Sequence, residues 1–344
     1  MSTARSFASI RQRIRGFTLV ELMVAMVLGL LIVGGVIALF VSTQQTSRTQ
    51  EAMSRAQETG RFVIERIARD AREAGHQGCR GGNINNLLDT ASADYDPWVH
   101  GVESAFLPPE QPNDHLRGDV LTLHGMTAIG SIPVSVPNTT APINTDETVD
   151  VAQGEVVLVA DQAGTTCELF QNAPAQPGVL SRATGANISP GNVAGDLTDF
   201  SGPATISVSR LETITYYIAE SSASPGVASL FRRSTADTDS SGNPVRREIA
   251  EGVYDLRLEF GQDTNDNQQI DRFVAASNTA SWSDSDWAQV AAVRVHLLVY
   301  NGLDNNVVDQ PRTGLLFANE LFDAPDRRLY LVFTTTVATR NRLE

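Results

Sequence analysis

The residues best placed for chemistry are few. Asp263, Asn265, Asn267 and Asp271, with the Gln269 carbonyl, stand at the one-three-five-seven-nine spacing of a calcium-wrapping loop. The pattern is incomplete. Its sixth position is Gln268 rather than Gly, and its twelfth is Val274 rather than Glu. The reading is therefore a solvated turn built from Asx hydrogen bonds, with calcium as the alternative. Cys79 and Cys167 allow one disulfide or two buried thiols. The five histidines, at 76, 100, 115, 124 and 296, form no metal or catalytic motif, and no P-loop, G-x-S-x-G or G-x-G-x-x-G occurs. No catalytic residue and no cofactor is assigned, and the chain is not read as an enzyme. Trp282 and Trp287 flank Ser283 to Asp286, where hydrophobic anchoring explains them better than an exposed binding patch. The remaining candidate is Glu21, a carboxylate at the start of a long apolar run, with Gly16 and Phe17 just before it. A carboxylate there is costly to keep in lipid and normally signals function.

The elements that must position these residues follow from composition and hydropathy. Leu22 to Val41 is 20 residues without a charge. As a helix it would be about 30 Å long, the thickness of a bilayer core. Gly29, Gly34 and Gly35 are tolerated in such helices. Before the run stand Arg5, Arg11, Arg13 and Arg15 with no acid, so this end stays cytoplasmic and the rest of the chain is exported. No small-residue cleavage site follows the run; the conspicuous small residue, Gly16, precedes it. All 26 basic residues are arginine, against 40 acids, for a net charge of -14. Lacking lysine, the chain has no P-loop lysine, Schiff base or lysine general base. Its acidity excludes a nucleic-acid surface, because phosphate binding needs a basic footprint. Apolar residues are 42% of the chain, enough for a packed core.

The junction Arg15-Gly16-Phe17-Thr18-Leu19-Val20-Glu21-Leu22 resembles the type IV prepilins and the related pseudopilins of type II secretion. Their signature is a short basic leader ending in Gly, then Phe, then a Glu five residues into the mature chain, then a long apolar helix. The resemblance implies that a prepilin peptidase cuts between Gly16 and Phe17 and methylates the new Phe17 amine. It also implies that Glu21 neutralises the Phe17 amine of an adjacent subunit during assembly. The chain further resembles the PilW-type minor pilins in Arg69 to Cys79, Ser229 to Arg233, Glu251 to Gly261 and Thr334 to Arg342. That likeness implies a subunit joining other minor pilins and the major pilin, with a tip adhesin as a further partner. Such a subunit would initiate or cap a pilus, starting in the bacterial inner membrane with a periplasmic head and ending in the pilus fibre. A J-class pseudopilin and a membrane-anchored calcium-dependent adhesin are the alternatives.

These readings divide the chain into a leader (1–16), a membrane and assembly half-helix (17–41), an amphipathic half-helix (42–75) and an exported head (76–344). Val63, Ile67, Ala71 and Ala74, with Phe62, give the second half-helix an apolar stripe, and Gly75 is its expected stop. Alternating or β-branched runs predict strands at 119–124, 155–160, 166–170, 204–208, 213–219, 229–232, 253–260, 291–300 and 329–337. Segments 171–203 and 234–244 read as loops. The expected class is α+β and pilin-like, a long N-terminal helix packed on an antiparallel sheet. On the exported side, a Cys79–Cys167 bridge would tie the helix exit to that sheet. The leader carries +4, residues 17–76 carry no net charge, and residues 77–344, with 16 Arg and 34 acids, carry -18.

Overall fold

A computed structural model describes residues 16–79, 84–96, 105–133, 142–145, 149, 151–173, 178–185, 187–200, 205–239, 243–300 and 305–339. The leader through Arg15 and the tail from Arg340 lie outside these. The chain divides into two compact units, residues 1–51 and 52–344.

In the first unit, helix α1 (Leu19–Glu73) begins. Its apolar run is exposed throughout and contains a window of mean hydropathy 2.9 with no buried residue. Among the described residues it is the one helix long and apolar enough to cross a membrane.

The second unit holds the rest of α1 and the strands. In chain order these are β1 (Ile84–Asn86), β2 (Phe106–Leu107), β3 (Arg117–Pro133), β4 (Ile143–Asn144), β5 (Val156–Ala160), β6 (Cys167–Gln171) and β7 (Val179–Leu180). Then come β8 (Thr205–Glu220), β9 (Ala228–Thr238), β10 (Pro244–Glu251), β11 (Val253–Gln262) and β12 (Arg272–Ala275). After helix α2 (Asp284–Ala288) follow β13 (Val290–Tyr300), β14 (Leu315–Phe317), β15 (Glu320–Phe322) and β16 (Tyr330–Ala338). The fold is α+β. The expected single sheet is in fact two principal ones, with two minor two-stranded pairs. The larger runs β1-β6-β5-β8-β3-β2, with β9 also on β8 and β10 on β9. All its ladders are antiparallel except β1 with β6. The smaller is the antiparallel sheet β12-β11-β13-β16.

β8 organises the larger sheet. One edge pairs with β3 from Thr205 to Ile218. The other pairs with β5 over Ser207 to Arg210 and with β9 over Ile214 to Glu220. The two strands expected at 204–208 and 213–219 are therefore one. Polar Ser209 to Glu212 continue it because β3 supplies ladder partners throughout. Residues 234–238 and 244, expected in a loop, belong to β9 and β10. Arg247 and Asp237 form an ion pair across that hairpin, which gives these charged strands a reason to pair.

The main core lies where α1 meets both sheets. It joins Ala56, Val63 and Ile67 of α1 to Leu121, Leu123, Tyr216 and Ile218 of the larger sheet and Leu256, Leu258, Val295 and Leu297 of the smaller. The helix face is narrow because it is built from small residues: Ala52, Ala56, Gly60, Ala68 and Ala71 are buried with Val63 and Ile67. Phe62, expected in this stripe, points outward and is 52% exposed. The helix ends at Glu73, and Gly75 takes the left-handed conformation (φ 72°) that lets the chain turn away.

Gly60 is a point of close approach, because a Cβ there would enter the Phe333 ring of β16. Gly60→Ala gains about 1 kcal/mol of helix propensity. The overlap forces a displacement costing about 1–3 kcal/mol. The expected outcome in chemical denaturation is a net loss of about 1 kcal/mol. The loss should disappear in a Phe333→Leu background, and an equal loss there would remove Phe333 from the explanation.

Candidate processing and assembly segment

Thr18 sets the start of α1. Its Oγ1 accepts a hydrogen bond from the Glu21 backbone N–H at 3.2 Å, and its carbonyl accepts the Leu22 N–H at 3.1 Å. Thr18 is thus the N-cap and Glu21 the third helical residue, the T-x-x-E spacing of a helix start. A first-turn acid is favoured by the helix dipole. Capping at Thr18 leaves Gly16 and Phe17 outside the helix. No atom crowds Gly16, and Phe17 is 78% exposed. Among the described residues nothing packs over the Gly-Phe bond. The Glu21 carboxylate lies one helical turn beyond Phe17.

In the second unit, polar contacts fasten the end of α1 to the larger sheet. Asp70 is almost fully buried and accepts from the Tyr216 hydroxyl at 2.7 Å and from Arg232 Nε at 2.9 Å. Arg232 also faces Glu212, which accepts from Ser234 at 2.5 Å and Thr127 at 2.6 Å. Burial, and then the Asp70 charge, push the Tyr216 hydroxyl well above the ordinary tyrosine range, so it stays a neutral donor. A cavity of about 500 Å³ beside this network is lined by Arg69, Arg72, His76, Met126 and Glu212.

Cys79 and Cys167 form a disulfide with Cα atoms 6.1 Å apart, tying the segment after α1 to β6. The next residue, Glu168, is fully buried with Arg182, and Nη1 lies 2.5 Å from Oε2. Arg182 also donates to the Thr198 carbonyl at 3.0 Å. Glu168 Oε1 accepts from the Thr198 N–H at 2.7 Å and from Asn85 Nδ2 at 2.9 Å. One ion pair thus pins β1, β6 and two irregular segments.

The Asp263 to Asp271 loop forms a hydrogen-bonded turn. Asp263 Oδ1 accepts from the Asn265 and Asn267 N–H groups, and Oδ2 accepts from Gln268 N–H at 2.7 Å. Asp271 accepts from the Thr264 hydroxyl and N–H, both at 2.7 Å, and from Asn265 Nδ2 at 2.9 Å. The Thr264 bonds hold its carboxyl below the usual carboxylate range. Among the described residues no three His, Cys, Asp or Glu side chains come together as a metal site.

His76 and His124 both line the cavity beside Asp70. His124 rests on Thr213 and His296 on Thr334, while His100 lies outside the described residues. Trp287 is buried against Phe260 and Trp282, each 5.0 Å away, so it is an anchor. Sequence reasoning missed Asp70, Glu168 and Arg182. Asp70 gave one usable signal, an acid interrupting an apolar helical stripe.

The family model described as type IV pilus-assembly protein W matches residues 215–341. The one described as the prokaryotic N-terminal methylation motif matches residues 11–37, across the Gly16-Phe17 junction. The chain thus carries the N-terminal methylation motif at its junction and a PilW-like region in the C-terminal part of its head. The PilW match covers β9 to β16 and the end of β8 from Thr215, including the smaller sheet whose Leu256, Leu258, Val295 and Leu297 share the main core with α1. The chain is similar to "Pilin-like protein PilA3" of Thermus thermophilus, 30% identical over 115 residues, or 33% of this chain and 43% of that protein. The chain thus spans less than half the length of that relative. No solved structure matches the chain.

Proposed function

We propose that this chain is a minor pilin, made as a precursor, cut by a prepilin peptidase between Gly16 and Phe17, and methylated on the Phe17 amine. Residues 17–41 hold it in the inner membrane with the head, residues 76–344, on the exported side. Residues 42–75 link the two. There it joins other minor pilins and the major pilin to initiate or cap a pilus, acting as a structural subunit. The observation that carries this reading is the junction itself. An uncrowded Gly16-Phe17 bond lies immediately before a Thr18-capped apolar helix with Glu21 in its first turn. In lipid, Glu21 is stabilised by an adjacent subunit's Phe17 amine, because pairing removes two charges that hydrocarbon solvates poorly.

The test substitutes the two ends of the junction separately. Gly16→Val should leave the protein at precursor size on a gel. Normal mature-size protein would sink the processing step. Glu21→Ala should be cut normally yet fail to enter pili. The PilW match favours a pilus over a secretion machine. Loss of the gene should accordingly abolish pili and leave enzyme secretion intact.

A further inference from the structure

Sheet edges attract foreign strands, and proteins usually blunt them with shortness, charge, proline or bulges. Most edges of the two principal sheets are blunted in this way. β1 and β2 have three and two residues. β10 carries Pro244, Arg246, Arg247 and Glu248, and its ladder has two register shifts. β12 has four residues and starts with Arg272.

β16 is different. Its nine residues, YLVFTTTVA, contain no charge, proline or glycine, and most are β-branched or aromatic. It pairs with β13 alone, in unbroken register from Tyr330–Tyr300 to Ala338–Ala292. The Thr339 N–H donates to the Ala291 carbonyl. Antiparallel alternation then turns the backbone N–H and C=O of Val332, Thr334, Thr336 and Ala338 away from β13. Among the described residues nothing accepts from or donates to these outward groups. Thr334, Thr336 and Ala338 are exposed.

We propose that β16 is the docking edge for a subunit partner, receiving an extended strand from the head of another pilin-type protein. This rests on the minor-pilin reading above and names its contact surface. Strand addition is favoured because the unmet groups are backbone donors and acceptors in a row, which an extended chain satisfies together. The partner is not a second copy, because two heads of net charge -18 repel on approach. It is a different subunit whose docking strand is uncharged or basic.

The test places a photo-crosslinking benzoylphenylalanine at Ala338 in the full chain, expressed in its own cells, and maps the cross-linked residue by mass spectrometry. The expected product joins Ala338 to a residue inside a β-strand of another pilin-type head. Thr336→Pro, which removes an outward N–H and no ladder bond, should reduce its yield about tenfold. Thr336→Lys should do the same if the proline variant melts early. A cross-link to a second copy, to no pilin-type head, or one undiminished in both variants would overturn the proposal. Removal of the leader is scored in the same samples. Correct processing without the cross-link defeats the docking edge alone, whereas failed processing defeats the minor-pilin reading.

Discussion

Cys167→Ser should destabilise the head by about 4–5 kcal/mol, the largest effect expected of any single substitution in it. The bridge joins residues 88 positions apart, and closing so long a loop removes much of the freedom of the unfolded chain. The folded state has little to offer in return. Cys167 is buried in β6 with the Gly164 carbonyl 3.6 Å from its Sγ, a long reach for the shorter serine hydroxyl, so a desolvation cost adds to the lost constraint. Cys79→Ser should give nearly the same loss without that addition, since Cys79 is only half-buried. Guanidinium unfolding of the full chain in detergent measures both. Reduced wild-type protein should superimpose on Cys79→Ser, and a reduced protein as stable as the oxidised one would refute the assignment.

Arg182→Met should cost about 3–5 kcal/mol, since removing one partner of a buried pair leaves the other charge uncompensated. The arrangement around Glu168 makes this a severe case. Its carboxylate would keep the Asn85 and Thr198 donors and lose the Arg182 counter-charge in a place with no solvent. Glu168→Leu combined with Arg182→Met should recover most of the loss, because two matched apolar groups carry no stranded charge. Denaturation of both singles and the double gives the coupling. A double variant as unstable as the sum of the singles would show that the pair acts through packing alone. Since Glu168 adjoins Cys167, disulfide and ion-pair losses should not add.

What was legible in the chain was what is encoded locally. The junction from Gly16 to Glu21 and the run from Leu22 to Val41 are contiguous, so residue type and spacing suffice to find them. β13 was visible because its apolar residues are nearly continuous, and β11 because its apolar residues alternate with Asp255, Arg257 and Glu259. The rest depends on distant partners. Ser209 to Glu212 looks like a break between strands until β3 lies beside it. Asp70 finds Tyr216 and Arg232 about 150 residues away, and Arg182 finds Glu168 from a stretch that reads as loop. Two sheets instead of one likewise follow from which strands share ladders. The Cys79–Cys167 bridge was inferable because a chain with two cysteines leaves only one intramolecular pairing.

The double-sided use of β8 bears on how the head forms during synthesis. β9 follows β8 after a seven-residue connection, so that hairpin can close within microseconds once both strands are free. β3 ends at Pro133, whereas its partner β8 begins at Thr205. A chain synthesised from its N-terminus therefore leaves β3 with only the two-residue β2 as a ladder partner for the whole interval until β8 emerges. For that period its strand edges are open to chaperones and to other nascent subunits, and the head passes its most aggregation-prone stage before the core exists.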